Sequence, residues 1–430
     1  MAENPQPEEP DDAERGDDSM PPNFPAFLFG AGAPGSFDPS QIDLNAVMRV
    51  LSASGPVNWE IARQTAEWVA LEGKPEARIE ERDAKQFEEL MHAAQNLVVG
   101  ETGLYATFAT PMRTLGPKGW VDLHLVALRP VLEALATTLG QAMQPGDDDD
   151  EAELASAFPG LSLPEGIPVG DVLKMLAPAL LGVQAGSMIG YLAQHAFGRY
   201  DLPLPTGTPP GGDEPSLVFV VPNIDAFEDA WTLPRDDLRF AVTLHEVVHA
   251  AVRSVPWVRA RLLRLAVEYV SSYEINPIAF EEEFGNIDPT DPSSFDAMTT
   301  SPERILGAMQ SPRQEGPRQE LQRLTSVIEG YADDIVERLA RRLIPSFDRI
   351  DEAMRRHRIE RGEAERFIEG LLGLKLEREH YDRGQAFCAG VIERAGPDGL
   401  NRLWETESML PTPNELDAPG LWLARIELPE

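Results

Sequence analysis

Apolar side chains recur with a helical period from about residue 42 onward. Behind Asn58, a residue type that caps helix N-termini, Trp59, Ile61, Ala62, Ala66, Trp68 and Val69 fall on one face, and the run ends near Gly73. A short apolar segment, Leu44 to Leu51, precedes it, and further helices are predicted over about 77–99 and 120–143. Met175 to Gly198 contains no formally charged residue, which is long enough for a membrane span. Pro178, Gln184, Ser187, Gln194 and His195 interrupt it, and no cluster of Lys or Arg flanks it. Gly182, Gly186 and Gly190 recur every four residues, a smooth stripe suited to close helix packing. A buried helix is therefore expected, and no membrane span. Leu217 to Val221, closed by Pro222, is the one strand that the pattern predicts. Helices follow between Pro234 and Pro256, from Trp257 to about Tyr273, and from about Leu321 to Leu343. The fold class this predicts is mainly α with a small β element.

Composition narrows the function. With 37 basic against 72 acidic residues the net charge is −35, which disfavours both nucleic acid and anionic lipid as partners. The single cysteine, Cys388, rules out an internal disulfide framework and a thiolate zinc site. Residues 1–20 show neither a basic nor an apolar leader pattern, so a cytoplasmic location is expected. Residues 1–40 are acidic and rich in Pro and Gly, a composition that predicts a disordered tail. Within that tail Gly30-x-Gly32-x-x-Gly35 resembles a dinucleotide fingerprint in letters only, because Pro34 interrupts it and no strand precedes it. The acidic run Asp147 to Asp150, with Glu151 and Glu153, lacks the glycine and spacing of a calcium loop and reads as a solvated loop near 145–155.

Chemistry concentrates in Val242-Thr-Leu-His245-Glu246-Val-Val-His249. On a helix His245 and His249 lie one turn apart on one face, so both imidazoles reach a single zinc ion. Glu246 stands beside them as a general base for a metal-activated water. With 7 histidines in 430 residues, this pattern arises by chance with an expectation of roughly 0.01. A third histidine ligand one glycine turn later is absent, since residues 252 and 255 are both Val. A glutamate is then the third ligand. Glu329 is favoured because Asp333, one turn on, would orient a ligand histidine through its free ring N–H. Glu268 and Glu274 are the alternatives. His92, His124, His195, His357 and His380 show no ligand-type spacing.

These residues carry a resemblance. Val221-Pro-Asn-Ile224, His245 to His249, Pro256-Trp257 and Glu329-Gly330 are similar to the bacterial zincin-like metallopeptidase type 2 family, with a gluzincin-like arrangement of ligands. Leu374-x-Leu376-Glu377, Tyr381, Gly384, Phe387 and Leu410-Pro-Thr412 extend it, as do Asn58-Trp59 and Gly198-x-Tyr-Asp-Leu-Pro203, from about Leu44 to the C-terminus. The resemblance implies a mainly α fold and a metal-dependent hydrolase. The organisation expected is a tail over 1–40, an N-terminal helical region over 41–160 and a zincin-like catalytic region over 161–430.

The resulting expectation is a zinc metallopeptidase with one Zn2+ per chain, held by His245, His249 and Glu329. Glu246 would deprotonate the attacking water and pass the proton to the leaving amine. Tyr381, His380 and Arg378 are candidates for a second electrophile at the oxyanion. The strand Leu217 to Val221 would accept an extended peptide by strand addition, on zincin analogy. Two rival readings are a metal-dependent hydrolase of a non-peptide substrate and a zinc-stabilised scaffold without turnover.

Overall fold

The computed structural model describes residues 55–104, 112–142, 169–202, 217–274, 309–359, 369–374 and 378–427. The acidic tail, the Gly30–Gly35 segment, the helix expected over Leu44 to Leu51 and the Asp147 run lie outside the described residues. Residues 54–430 form one compact unit.

Helix α1 (Trp59–Leu71) starts where its cap predicts: Asn58 Oδ1 accepts the N–H of Ile61 at 3.1 Å. It stops at Glu72 and Gly73, which both take left-handed backbone, φ 50° and 69°. Helix α2 (Glu81–Thr102) ends at Gly103 in the same way. Strand β1 (Arg113–Leu115) follows. The single helix expected over 120–143 is two: α3 (Pro117–Ala127) and α4 (Arg129–Ala142), bent by 61°. Pro130 explains the break, because its ring and missing N–H prevent the preceding turn from continuing. Among the described residues no single helix is long and apolar enough to cross a membrane; the bent pair α3–α4 meets the length and composition test together. Trp120, Val121, Leu128 and Val131 of that pair are buried in the core.

The charge-free segment forms α5 (Val169–His195), packed along α1. The glycine stripe makes this possible. A methyl on Gly182, Gly186 or Gly190 would stand 2.5, 2.4 or 2.6 Å from the carbonyl oxygens of Asn58, Ala62 and Ala66. The expected strand is shorter than predicted. β2 spans Val218–Val220, and Val221-Pro222 already opens α6 (Val221–Trp231), where a proline suits the first turn. β2 pairs in parallel with β1, Thr114 opposite Phe219, and Phe219 is also bridged antiparallel to Gly198. Both edges of this fully buried strand are thus occupied, so peptide addition to it is ruled out, contrary to expectation.

Helix α7 (Arg235–Arg253) runs through the centre, with every residue from Ala241 to Arg253 buried. Asp236 and Asp237 in its first turn and Arg253 in its last complement the helix dipole. Its N-terminal half is anchored by Arg239, fully buried, which donates to Asp83 (2.8 Å) and Gln86 (2.6 Å) of α2 and Asp225 (2.8 Å) of α6. Helix α8 (Pro256–Val270) follows, then α9 (Glu315–Leu343), α10 (Phe347–Ile359) and α11 (Arg378–Asn401), which kinks at Gly396. Two short helices, α12 (Pro413–Asp417) and α13 (Pro419–Glu427), close the chain. α9 and α11 touch backbone to backbone: a methyl on Gly384 would lie 2.0 Å from the carbonyl oxygen of Ser326, and one on Gly330 would lie 2.4 Å from Gly384.

Candidate metal centre

The four-residue spacing on α7 sets the two histidines together. Their ring centroids are 4.3 Å apart, and both side chains are buried. α9 crosses α7 so that Glu329, also buried, faces them, with its Oε2 4.0 Å from His249 Nε2. The alternatives lie elsewhere. Glu268 is about half exposed and pairs with Arg264 at 3.6 Å, and Glu274 pairs with Arg313 at 2.8 Å. The structure therefore brings Glu329, not Glu268 or Glu274, beside His249.

Glu246 is fully buried. Its Oε2 accepts the N–H groups of Arg199 (2.9 Å) and Tyr200 (3.0 Å), and its Oε1 accepts Tyr200 N–H at 3.1 Å. Oε1 is also 3.8 Å from Nδ1 of His245. Burial pushes the carboxyl pKa up, while the neighbouring His245 and the Tyr200 amide oppose that shift.

One residue of this neighbourhood was not anticipated. Arg253 lies one turn past His249 on the ligand face and is buried, its guanidinium 5.5 Å over the ring of Tyr200. Burial lowers its pKa, and Glu329 is foremost among the charges that counter this. The only sequence signal was an arginine four residues beyond His249 in an apolar run. Asp333, half-buried, lies one turn beyond Glu329 on α9. His380 and Tyr381 are half-buried in the first turn of α11, one turn before Gly384. The Arg378 side chain is 86% exposed, 3.7 Å from Asp382.

Two histidines and a carboxylate are the donor set of an open zinc site. Among the described residues no three His, Cys, Asp or Glu side chains stand close enough together to hold a metal ion as they are placed. Donors sharing one tetrahedral zinc sit about 3.3 Å apart, given bonds near ~2.0 Å. The 4.0 Å between His249 and Glu329 thus closes with a side-chain adjustment of under about 1 Å. The donor types, and the spacing of this one pair, suit the ion.

The model of the zincin-like metallopeptidase family matches residues 57–423. The chain belongs to that family. The match includes α1 to α5 as well as the helices that carry the motif. Membership brings a hydrolase role with it. A crystal structure from Chloroflexus aurantiacus, described as a "putative hydrolase with a novel fold", is similar with a TM-score of 0.60 and 23% identity. It covers 87% of this chain and 100% of that one, and the likeness is one of fold. No curated protein matches this chain significantly.

Proposed function

We propose that this zincin-like protein is a zinc-dependent peptidase whose ion is held by His245, His249 and Glu329. The observation that carries the reading is the approach of Glu329 on α9 to His249 on α7, beside the buried Glu246. When bound, zinc supplies a Lewis acid that polarises an amide carbonyl and brings a water's pKa near neutrality. Glu246 takes the proton from the attacking water and returns it to the leaving amine. The amides of Arg199 and Tyr200 donate to that carboxylate, and the Tyr200 amide opposes part of the upward pull of burial on its pKa. Asp333 orients a ligand imidazole, and the positive end of Arg253 balances the buried carboxylates. A half-buried Tyr381 or His380 serves as the second electrophile. The substrate class is a peptide or protein.

Purified protein is expected to hold about one zinc per chain by elemental analysis, and His245→Ala, His249→Ala or Glu329→Ala to lose it. Asp333→Asn should weaken zinc affinity by about 10–100-fold. Glu246→Gln should keep zinc and fold, yet lose about 10²–10⁴-fold in hydrolysis of a mixed peptide library followed by mass spectrometry. Equal products from wild type and Glu246→Gln, or full zinc in the His245→Ala/His249→Ala double variant, would overturn the assignment.

A further inference from the structure

The segment that leaves α5 is fastened from three sides before it meets the site. Phe197 accepts the N–H of Val220 at 2.8 Å, and Gly198 is bridged to Phe219, which stitches the turn to β2. Asp201 Oδ2 accepts the N–H of Phe197 at 3.0 Å, closing the turn on itself. From the far side the indole N–H of Trp120, a fully buried residue of α3 stacked on His124, donates to the Gly198 carbonyl at 2.7 Å. So held, the turn aims two consecutive backbone N–H groups, those of Arg199 and Tyr200, at one carboxylate.

Gly198 leaves no room for anything but hydrogen. A methyl there would stand 2.3 Å from Glu246 Cδ and 2.6 and 2.7 Å from its two oxygens. Its φ lies outside the left-handed range, so contact with the carboxylate, rather than backbone conformation, demands glycine. Oε2 takes both amides, whereas Oε1 shares only that of Tyr200 and is the oxygen 3.8 Å from His245. A carboxylate oxygen has two acceptor positions, so an Oε1 bonded to one amide has a second, and His245 Nδ1 lies 3.8 Å from that oxygen.

We propose that the Gly198–Tyr200 turn is a positioning element for Glu246, with Trp120 as its outer anchor, and that Oε1 is the oxygen presented to the reacting proton. The catalytic half of this rests on Glu246 acting as the base; the contact itself does not. A carboxylate displaced by about 1 Å costs up to about 10²-fold in rate, and Gly198→Ala forces such a displacement without touching a metal ligand.

Two measurements test it. In a double-mutant cycle read by thermal unfolding of metal-free protein, Gly198→Ala should lower the Tm of wild type. It should cost little in a Glu246→Ala background, where the methyl has space. Equal losses in both backgrounds would overturn the contact. With zinc bound, Gly198→Ala should retain the metal and lower kcat about 10–10²-fold at unchanged KM. Trp120→Phe, which fills the same core position without the indole donor, should lower kcat less, again at full zinc. An unchanged kcat in Gly198→Ala would overturn the positioning role. Should wild type hydrolyse no peptide while the cycle still shows coupling, the peptidase reading fails and the clamp on Glu246 stands.

Discussion

His124 is a neutral histidine held in the core. Its ring stacks on Trp120 at 3.6 Å, its Nδ1 lies 3.0 Å from the Trp120 carbonyl oxygen, and burial lowers its pKa to about 3. An unfolded chain binds a proton here near pH 6.5, the folded one only near 3. The unfolded state therefore gains protons first as pH falls, so stability from this group is complete above 6.5 and drains away toward 3, by at most about 1.4 kcal/mol per pH unit. Urea unfolding of metal-free protein between pH 7 and 4 should show a shallower decline for His124→Phe than for wild type. Residues of this kind were only partly legible in the sequence. His245, Glu246 and His249 announce themselves because a spacing of four maps onto one helical turn. Glu329 does so because Asp333 follows it at the same spacing. The donors on Glu246 are backbone N–H groups, which every residue but proline has, so no side-chain identity marks Arg199 or Tyr200. Arg253 hid for the opposite reason: an arginine normally belongs to the surface.

The helices were legible wherever their ends carry side-chain or proline signals, as with Asn58 before α1 or Pro234 and Pro256 around α7. Proline carries more than one sense along this chain. Pro130 divides an apolar run into two helices, and Pro222, which follows a strand, stands in the first turn of α6. Glycine in helices separates into two kinds. Gly186 faces the backbone of α1, with a built methyl 2.4 Å from Ala62 O, whereas Gly100 in α2 has open space. Gly186→Ala should destabilise by about 1–3 kcal/mol through overpacking. Gly100→Ala should stabilise by about 0.5–1 kcal/mol, the helix propensity gained. Urea midpoints of the two variants should move in opposite directions. At the other end of the fold Arg239 joins α7 to α2 and α6 through Asp83, Gln86 and Asp225. Arg239→Ala would leave the buried Asp83 and the half-buried Asp225 to Arg235 alone, and should cost about 1–3 kcal/mol, readable in the same titration.

At the scale of the molecule, the proposed ligands sit on two elements that belong to distant parts of the chain. α7 supplies two and α9 supplies the third, across the 4.0 Å between His249 and Glu329. Binding should therefore stabilise the folded state by mass action: a zinc excess of about 100 Kd adds about 2.7 kcal/mol. Chelation should lower the Tm of wild type and added zinc restore it, while Glu329→Ala should show a much smaller response. Crowding the α9–α11 crossing with Gly384→Ala, where a methyl would lie 2.0 Å from Ser326 O, should shift α9 and weaken zinc affinity without altering any ligand.

The placement of Glu329 also sets an order of events during synthesis. A ribosome that has released α7 has made both histidines but not yet the third ligand, about 80 residues further on. A two-imidazole fragment binds zinc loosely and stays open to exchange, and only the docking of α9, with Gly330 pressed onto Gly384 of the still later α11, completes the set. On the proposed ligand set, metallation is then a terminal step of biogenesis. Stalled or truncated chains that end before α9 should leave the ribosome unable to hold the ion.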